Sequence, residues 1–549
     1  MKKPSKRSVL YFVIVVMVVV ICVVTIEIVR RTGKSEQKSI SSQVKKSKKR
    51  VSVHDPSVVK AGNKYYVFGS HIEAAQSTDL QNWTKFTNSY KTPGNKLYGN
   101  LSKNLAGSFA WAGKDDSDCK GGYSVWAPYV FWNKNYVNDN GKKGAYMIYY
   151  CTSSTYKRSC IGYAVSQNIE GPYKYVDTIV YSGFTKDEAY DSGSEINTKY
   201  TNTNIKKLID KGTIKGPNSK WFGDGGVYNT EYAPNAIDPD LFYDKEGKLW
   251  MVYGSWSGGI YMLQIDEQTG RAIYPGKDGI AAGGNVTDRY FGIKIAGGYT
   301  RSGEGPFVVY DKNTGYYYLY VSYAGLAANG GYNMRLFRSR NPQGPYLDAA
   351  GNKATLKGNV DNAYCGIKLM GNYKLKNMRV GYKSCGHNSS FIDSNGQMYL
   401  IYHTRFNTGS EYHEVRVHQM FVNKDGWPVV APYEYSGDNI SKEGYSEKDV
   451  VGEYEFINHG TSNSGDTMLE TKKIILNKDR TVTGDLKGNW TMKNGTYNMS
   501  VTINNITYKG VFFRQQDESD KVSKVMTFSA VGTNNECVWG SKSAKLKAN

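Results

Sequence analysis

The sequence predicts an all-β protein: a five-bladed β-propeller, a small C-terminal β-barrel after it and one N-terminal transmembrane helix before it. Three observations carry this reading. A hairpin pattern occurs five times at intervals of several tens of residues, which marks a repeat architecture of antiparallel sheets. The 549 residues include 46 Tyr, 10 Trp and 59 Gly, a supply of strand-forming aromatics and turn formers. Beyond the N-terminus, long stretches of apolar residues at helical spacing are hard to find.

The chain opens with Lys2, Lys3, Lys6 and Arg7, and Val9 to Ile26 is then apolar throughout except for Thr25. That run is close to the ~20 residues needed to cross a bilayer. A cleaved signal peptide has a shorter apolar core and a small-x-small site, and neither is evident. Residues 1–31 are therefore read as an uncleaved signal anchor with the bulk of the chain outside. Arg30 and Arg31 put basic residues on the second flank too, so charge alone does not set the orientation. Residues 32–50, rich in Ser, Gln and Lys, read as a flexible basic stalk.

Residues 51–440 hold the five hairpins. His54-Asp55-Pro56 leads through Ala61-Gly62-Asn63 to residues 65–70, and Trp126-Ala127-Pro128 leads to 146–153. Asp238-Pro239-Asp240 leads through Lys245-Glu246-Gly247 to 249–255. Gly303-Glu304-Gly305-Pro306 leads through Asn313-Thr314-Gly315 to 316–322, and Gly386-His387-Asn388 through Ser394-Asn395-Gly396 to 398–402. In a propeller the start of each inner strand faces the central axis, so Asp55, Asp238, Glu304 and His387 are expected to converge on one face. An insertion at about 187–231, without clear periodicity, is a candidate rim of that face. From 446 to 549 polar and apolar residues alternate between Asp-Leu-Lys-Gly and Lys-Asn-Gly turns, which describes a separate small antiparallel barrel or sandwich.

The net charge of +21 invites a nucleic-acid partner, but its distribution argues against one. Residues 1–50 hold thirteen Lys/Arg against Glu27 and Glu36, so +11 sits in the tail. The rest is spread thinly, with no basic helix or RNA-binding motif. Of seven cysteines, Cys22 lies in the apolar run; Cys119, Cys151, Cys160, Cys365, Cys385 and Cys537 permit up to three disulfides, with Cys151/Cys160 and Cys365/Cys385 the nearest pairs. A mixture of free and bonded thiols fits equally.

A single Asp-Pro at a strand start is usually a turn or cap. Acids recurring at equivalent points of several repeats are different, because two carboxylates facing each other across a sugar-sized gap are the minimum equipment for glycoside hydrolysis. One must be ionised to activate water and the other must hold a proton for the leaving oxygen; a third nearby raises the acid's pKa.

The ordered set His54-Asp55-Pro56, Ile237-Asp238-Pro239, Gly303-Glu304-Gly305-Pro306 and Gly386-His387-Asn388-Ser389 resembles glycoside hydrolase family 43, and within it the endo-acting α-1,5-L-arabinanases. The resemblance covers roughly residues 51–435, and the C-terminal segment looks like the small β-barrel domain that accompanies many of these enzymes. It implies Asp55 as general base, Glu304 as general acid and Asp238 as the residue that tunes and orients the acid. The implied reaction is a single displacement with inversion, its base and acid about 6.5–9.5 Å apart to admit a water. Asp240 competes with Asp238, since strand alternation points both the same way; the Asp-Pro of Asp238 matches the repeat and the family.

The resemblance also implies that His387 touches a hydrated calcium ion beneath the centre, with waters completing the shell because calcium favours oxygen ligands. Trp126 matches a family tryptophan that stacks on a sugar ring, and His403-Thr404-Arg405 at the end of the fifth hairpin brings Arg405 towards the substrate. Glu73, Glu231 and Tyr232 are rim candidates without a role. The expected function is cleavage of internal α-1,5-L-arabinofuranosidic linkages of arabinan, a pectin side chain, by a monomer anchored at the cell surface. One rival is an exo-acting α-L-arabinofuranosidase or β-xylosidase of the same fold, which a blocked pocket would favour over an open groove. Another is a non-catalytic arabinan-binding surface protein, which has no need of three carboxylates.

Overall fold

The computed structural model describes residues 48–543 except 92, 114–123, 154–156, 464 and 520–523. The expected transmembrane helix, 1–31, lies outside the described residues, as does most of the stalk. Among the described residues no helix is long and apolar enough to cross a membrane. The last three stalk residues depart from expectation, because they belong to the folded body. Lys48 and Arg50 pair with the buried Glu434, Trp83 N donates to Lys49 O (2.8 Å), and Val415 N donates to Val51 O (3.0 Å). Burial alone would raise the Glu434 carboxyl; Arg50, Lys48 and Arg416 together hold it well below the usual range. A buried carboxylate needs counter-charges, and the stalk's end supplies two of them.

Outside the barrel the described strands form five antiparallel sheets. Four are four-stranded propeller blades, on the inner strands Ser57–Ala61, Val125–Val137, Glu304–Asp311 and Tyr382–Ile392. The expected five-bladed propeller is therefore corrected to four such blades, and the third repeat forms a different sheet. Its sheet, on Asp240–Tyr243, Leu249–Ser255 and Gly259–Ile265, has seven strands, because Gly292–Ala296, Val286–Asp288 and Gly279–Ile280 extend the edge and Ala272–Ile273 also pairs with Gly259–Ile265. Each inner strand packs against the inner strands of its neighbours, and the fifth sheet's returns to the first.

Local chemistry explains the hairpins. The Asp244 carboxylate accepts Glu246 N and Lys248 N, both at 2.9 Å, and closes the turn while Gly247 takes φ +81°, a conformation that favours glycine. Asp393 and Gly396 repeat the device. The tyrosine-rich second strands are buried on both faces. Along Tyr316–Tyr323, Tyr318 and Tyr320 enter one inter-sheet core, while Tyr317, Leu319 and Val321 enter the next. Strand alternation thus feeds two cores from one segment, which is why the residues read as a continuous apolar run.

The insertion at 187–231 carries the short helix Asn204–Asp210 and the fully buried Trp221, whose Nε1 donates to Asp288 Oδ2 (2.8 Å) on the added strands of the third sheet. Insertion and sheet extension brace each other. The C-terminal unit is a closed eight-stranded barrel in which Gly452–Asn458 pairs with both Lys472–Leu476 and Cys537–Lys542 around Tyr454, Trp490, Phe512 and Phe528. All five described cysteines are buried and free, so neither near pair is bonded; Cys22 and Cys119 lie outside the described residues.

Candidate active site

The inner strands share a distortion at their entry. Asp55, Ala127, Asp238, Gly305 and His387 occupy equivalent points of the five repeats and have φ of +53°, +36°, +56°, +56° and +47°. For a non-glycine residue this conformation costs about 1–3 kcal/mol, and it persists where surroundings enforce it. Here hydrogen bonds from the preceding repeat do so. Asp55 N donates to His403 Nδ1 (3.2 Å), Ala127 N to Ser70 Oγ (2.9 Å), Gly305 N to Asp238 Oδ2 (3.1 Å) and His387 N to Ser322 Oγ (2.7 Å). The Asp238 backbone bonds the Cys151 thiol. The ring of contacts is complete, and it gathers the predicted carboxylates and His387 at one end of the axis.

Asp55 is buried among histidines. Its Oδ1 lies 3.0 Å from His387 Nδ1 and 3.7 Å from His403 Nδ1, its Oδ2 lies 2.8 Å from His54 Nδ1, and Ser70 Oγ donates to Oδ2. Burial by itself would raise this carboxyl, but the charges of His387 and His54 and their hydrogen bonds hold it well below the usual carboxylate range. The two flanking imidazoles diverge. Burial lowers His387, yet Asp55, then Asp238 and Glu304, outweigh it and raise that ring to about 9. His403, fully buried and stacked on His54 at 4.1 Å, is pushed well down by burial and by the His54 charge. One ring is a cation on the carboxylate; the other is a neutral acceptor for the Asp55 amide.

Glu304 faces the opposite regime. Tyr332 Oη donates to its Oε1 (2.8 Å), and Ser255 Oγ lies 3.4 Å from Oε2. Burial raises the Glu304 carboxyl; the Tyr332 hydrogen bond and the His387 charge pull against that, and the negative charge of Asp55 adds to it. Asp238 is raised to about 7, first by burial, against His387 and with Glu304 and Asp55 reinforcing. Through the Gly305 amide, Asp238 also grips the peptide that carries Glu304. Two carboxyls of one site pushed in opposite directions are the electrostatic form of a base and an acid.

Asp240 does not join them. Its Oδ2 accepts Val308 N (2.8 Å), tying the third sheet to the fourth, and burial raises it without Asp55 or Glu304 among the causes. Trp126 is half-buried, its ring 4.5 Å from that of His71. Arg405 is buried, with Nε on Glu411 (2.7 Å) and Nη1 beside His403 Nε2 (3.4 Å), so it reaches the centre from behind that histidine. Glu73 pairs with Lys85, Tyr232 donates to Asp288 (3.0 Å), and Tyr299 N donates to the Glu231 carbonyl (3.4 Å); none of the three has a bond to the carboxylates. Sequence reasoning assigned no role to Tyr332, His403, Ser70 or His54. His54 and His403 lie inside quoted motifs and could have been found by their proximity to Asp55 and Arg405; Tyr332 carries no local signal.

The donor set can be weighed against a cation. The ligand atoms of His54, Asp55 and His403 lie within 4.8 Å of one another, but two imidazoles suit a transition metal better than calcium. Beside His387, whose Nδ1 is taken by Asp55, Nε2 is the remaining nitrogen. The next residue, Asn388, keeps both amide atoms buried without a hydrogen-bond partner. An orphaned amide oxygen next to an imidazole fits a hydrated cation, with water supplying the other ligands.

Comparison with known proteins agrees with this geometry. Residues 198–428 match the model for glycosyl hydrolases family 43, and 432–540 match a C-terminal lipocalin-like domain. The first match begins after Asp55 and Trp126, so whole-chain relatives matter more. The chain is 40% identical over 508 residues, covering 90% of itself and 93% of the relative, to the extracellular endo-α-(1→5)-L-arabinanase 2 of Bacillus subtilis (strain 168). It is 38% identical to the extracellular endo-α-(1→5)-L-arabinanase of Thermotoga petrophila, covering 89% of itself and 93% of the relative. Among solved structures, the Thermotoga petrophila endo-1,5-α-L-arabinanase gives a TM-score of 0.74 at 36% identity, covering 91% of this chain and 100% of that one. A family 43 glycoside hydrolase from Bacillus licheniformis gives 0.73 at 38%, covering 91% and 99%.

Proposed function

The chain belongs to glycoside hydrolase family 43, and from that premise we propose how its site works. The enzyme is a glycosidase that hydrolyses internal α-1,5-L-arabinofuranosidic linkages of arabinan. Asp55, held ionised, takes a proton from a water as that water attacks the anomeric carbon. Glu304, held protonated, gives its proton to the departing oxygen. Asp238 keeps Glu304 in place through Gly305 N and, by its own charge, favours the protonated acid. The product inverts, because attack and departure occur on opposite faces of the sugar. The observation that carries this reading is the opposed pair, Asp55 depressed and Glu304 raised in one buried site.

Trp126 offers its half-exposed ring to a sugar, while buried Arg405 acts through His403 and Glu411 instead of by the direct sugar contact expected from the sequence. In its neutral form, with the remaining proton on Nδ1 towards Asp55, His387 would offer Nε2, together with Asn388, to a hydrated calcium ion, which would supply positive charge to the site in place of the imidazolium's. We count the seven-stranded sheet as the third blade of a five-fold ring, supported by Asp238, whose left-handed entry is in register with the other four. Both relatives are described as extracellular, and we place this enzyme outside the cell as a monomer, with residues 1–31 as its anchor.

The test is product length against time on linear arabinan. A ladder of mixed oligosaccharides from the earliest points is expected, with the first reducing ends in the β configuration by proton NMR. Arabinose alone from the start would transfer the enzyme to the exo-acting class, and binding without any product would leave a binding protein. Dialysis against a chelator, then calcium, should lower and restore the rate; an unchanged rate removes the ion. Gly305→Ala should be damaging, since an added Cβ would lie 2.9 Å from His387 Cγ and Nδ1 at a backbone φ of +56°. Displacing that ring from Asp55 is expected to cost about 100-fold in kcat/KM. A variant within threefold of wild type would show that the His387–Asp55 contact is not needed.

A further inference from the structure

We infer that the C-terminal barrel positions the general acid, through Asn463; the inference rests on the reading of Glu304 as that acid. The path is short and polar. Tyr332, whose hydroxyl donates to Glu304 Oε1, packs its ring so closely on Gly386 that a Cβ there would lie 2.1 Å from it. The next residue, Asn333, is buried; its Nδ2 donates to Gly331 O (2.9 Å) and to Asn463 Oδ1 (3.3 Å), and its Oδ1 accepts Arg335 Nε (2.7 Å). Arg335 is fully buried. Its Nη2 donates to Asn463 Oδ1 (2.7 Å) and to Thr461 O (2.6 Å), and its guanidinium lies over the Tyr323 ring at 5.1 Å. Asn463 Oδ1 is thus a shared acceptor for Asn333, which holds the Gly331 carbonyl just before Tyr332, and for Arg335, which holds the Asn333 side chain.

Asn463 belongs to the barrel, in the connection between Gly452–Asn458 and Lys472–Leu476. The same connection binds the second strand of the site. Lys383 pairs with Asp466, Leu469 N donates to Asn372 O (2.9 Å), and Asn372 Oδ1 accepts Ser384 N (2.9 Å), three residues before His387. Lys368 Nζ donates to Ser462 O (2.6 Å) between them. Arg335 Nη1 donates within the propeller, to Ala363 O (2.7 Å), but both acceptors of Nη2, Thr461 O and Asn463 Oδ1, come from the barrel, and a barrel that only shielded apolar surface would have no reason to complete the bonding of a buried guanidinium.

The test uses the full chain. Asn463→Leu removes the shared acceptor at similar volume, and kcat on linear arabinan should fall about tenfold with KM within twofold, as befits a misplaced acid. The Tyr332 hydrogen bond lowers the Glu304 carboxyl, so losing it should move the alkaline limb of kcat/KM to higher pH. A merely structural change would leave that limb in place. Asn463→Asp keeps the acceptor and should stay within twofold of wild type. Ser500→Ala, on the barrel strand Asn498–Ile503, should change neither quantity. If Asn463→Leu does not fold, Asn463→Ala serves. Wild-type kcat and limb in the folded variant overturn the proposal. A crystal structure of the variant decides independently of activity: a Tyr332–Glu304 hydrogen bond kept as in wild type sinks it, even if arabinan proves not to be the substrate.

Discussion

Glu304→Gln is expected to lose about three orders of magnitude in kcat on arabinan, and far less on an aryl arabinofuranoside with a good leaving group. General acid assistance is worth roughly 10²–10⁴-fold when the leaving group is an alkoxide, and little when the departing phenolate is already stable. The amide preserves size and can still accept from Tyr332 Oη, so the loss reports the missing proton and not a collapsed site. The pH profile gives a second handle. Asp55 must be ionised and lies well below the usual range, so wild-type kcat/KM should stay level down through moderately acid pH. Glu304 must be protonated and is raised, so activity should fall as pH rises through its titration. Because Asp238, at about 7, titrates against the same neighbours, the alkaline limb belongs to the pair. In Glu304→Gln with the aryl substrate that limb should flatten. Equal losses on both substrates would mean that Glu304 is not the proton donor.

What the sequence showed depended on whether the cause was local. The turns closed by Asp244 with Gly247 and by Asp393 with Gly396 are written within five residues each, and so are visible without a structure. The convergence of Asp55, Asp238, Glu304 and His387 was legible because equivalent points of a repeat must meet at the axis. Tyr332 was not, because it reaches Glu304 from a loop 28 residues later with no repeat to align it. The extension of the third sheet rests on strands as short as Gly279–Ile280, whose pairing comes from tertiary context. Lys48 and Arg50 look like any solvated basic run until Glu434, 384 residues beyond Arg50, is placed beside them. The choice between Asp238 and Asp240 needed the register: one amide, Gly305 N, selects the first, and another, Val308 N, occupies the second.

Asp55→Asn should abolish activity on both classes of substrate, by at least about 10³-fold, since a good leaving group does nothing for an unactivated water. The same substitution should also change the protonation of His387. Burial pushes that ring down, and the Asp55 carboxylate is the largest influence holding it up at about 9. Without it, Asp238 and Glu304 remain, both raised and therefore partly protonated, so in the calcium-free protein the His387 titration seen by nitrogen-15 NMR should move down towards or below the ordinary 6.5. The sign of the stability change follows. A histidine whose folded pKa is raised contributes stability that is fully present below 6.5 and is lost as pH rises through about 9. The depressed carboxyl of Asp55 contributes stability that is present above 3.8 and is lost only as pH falls through its lower folded value. The two shifts describe one ion pair and are counted once, which sets the pair at about 3 kcal/mol at most. Denaturant unfolding should therefore find Asp55→Asn destabilised most between about pH 4 and 6.5, with the gap to wild type closing by about pH 9.5. A gap that is the same at pH 6 and pH 9.5, with His387 titrating as before, would show that the imidazolium is held by the remaining carboxylates and that Asp55 acts on water alone.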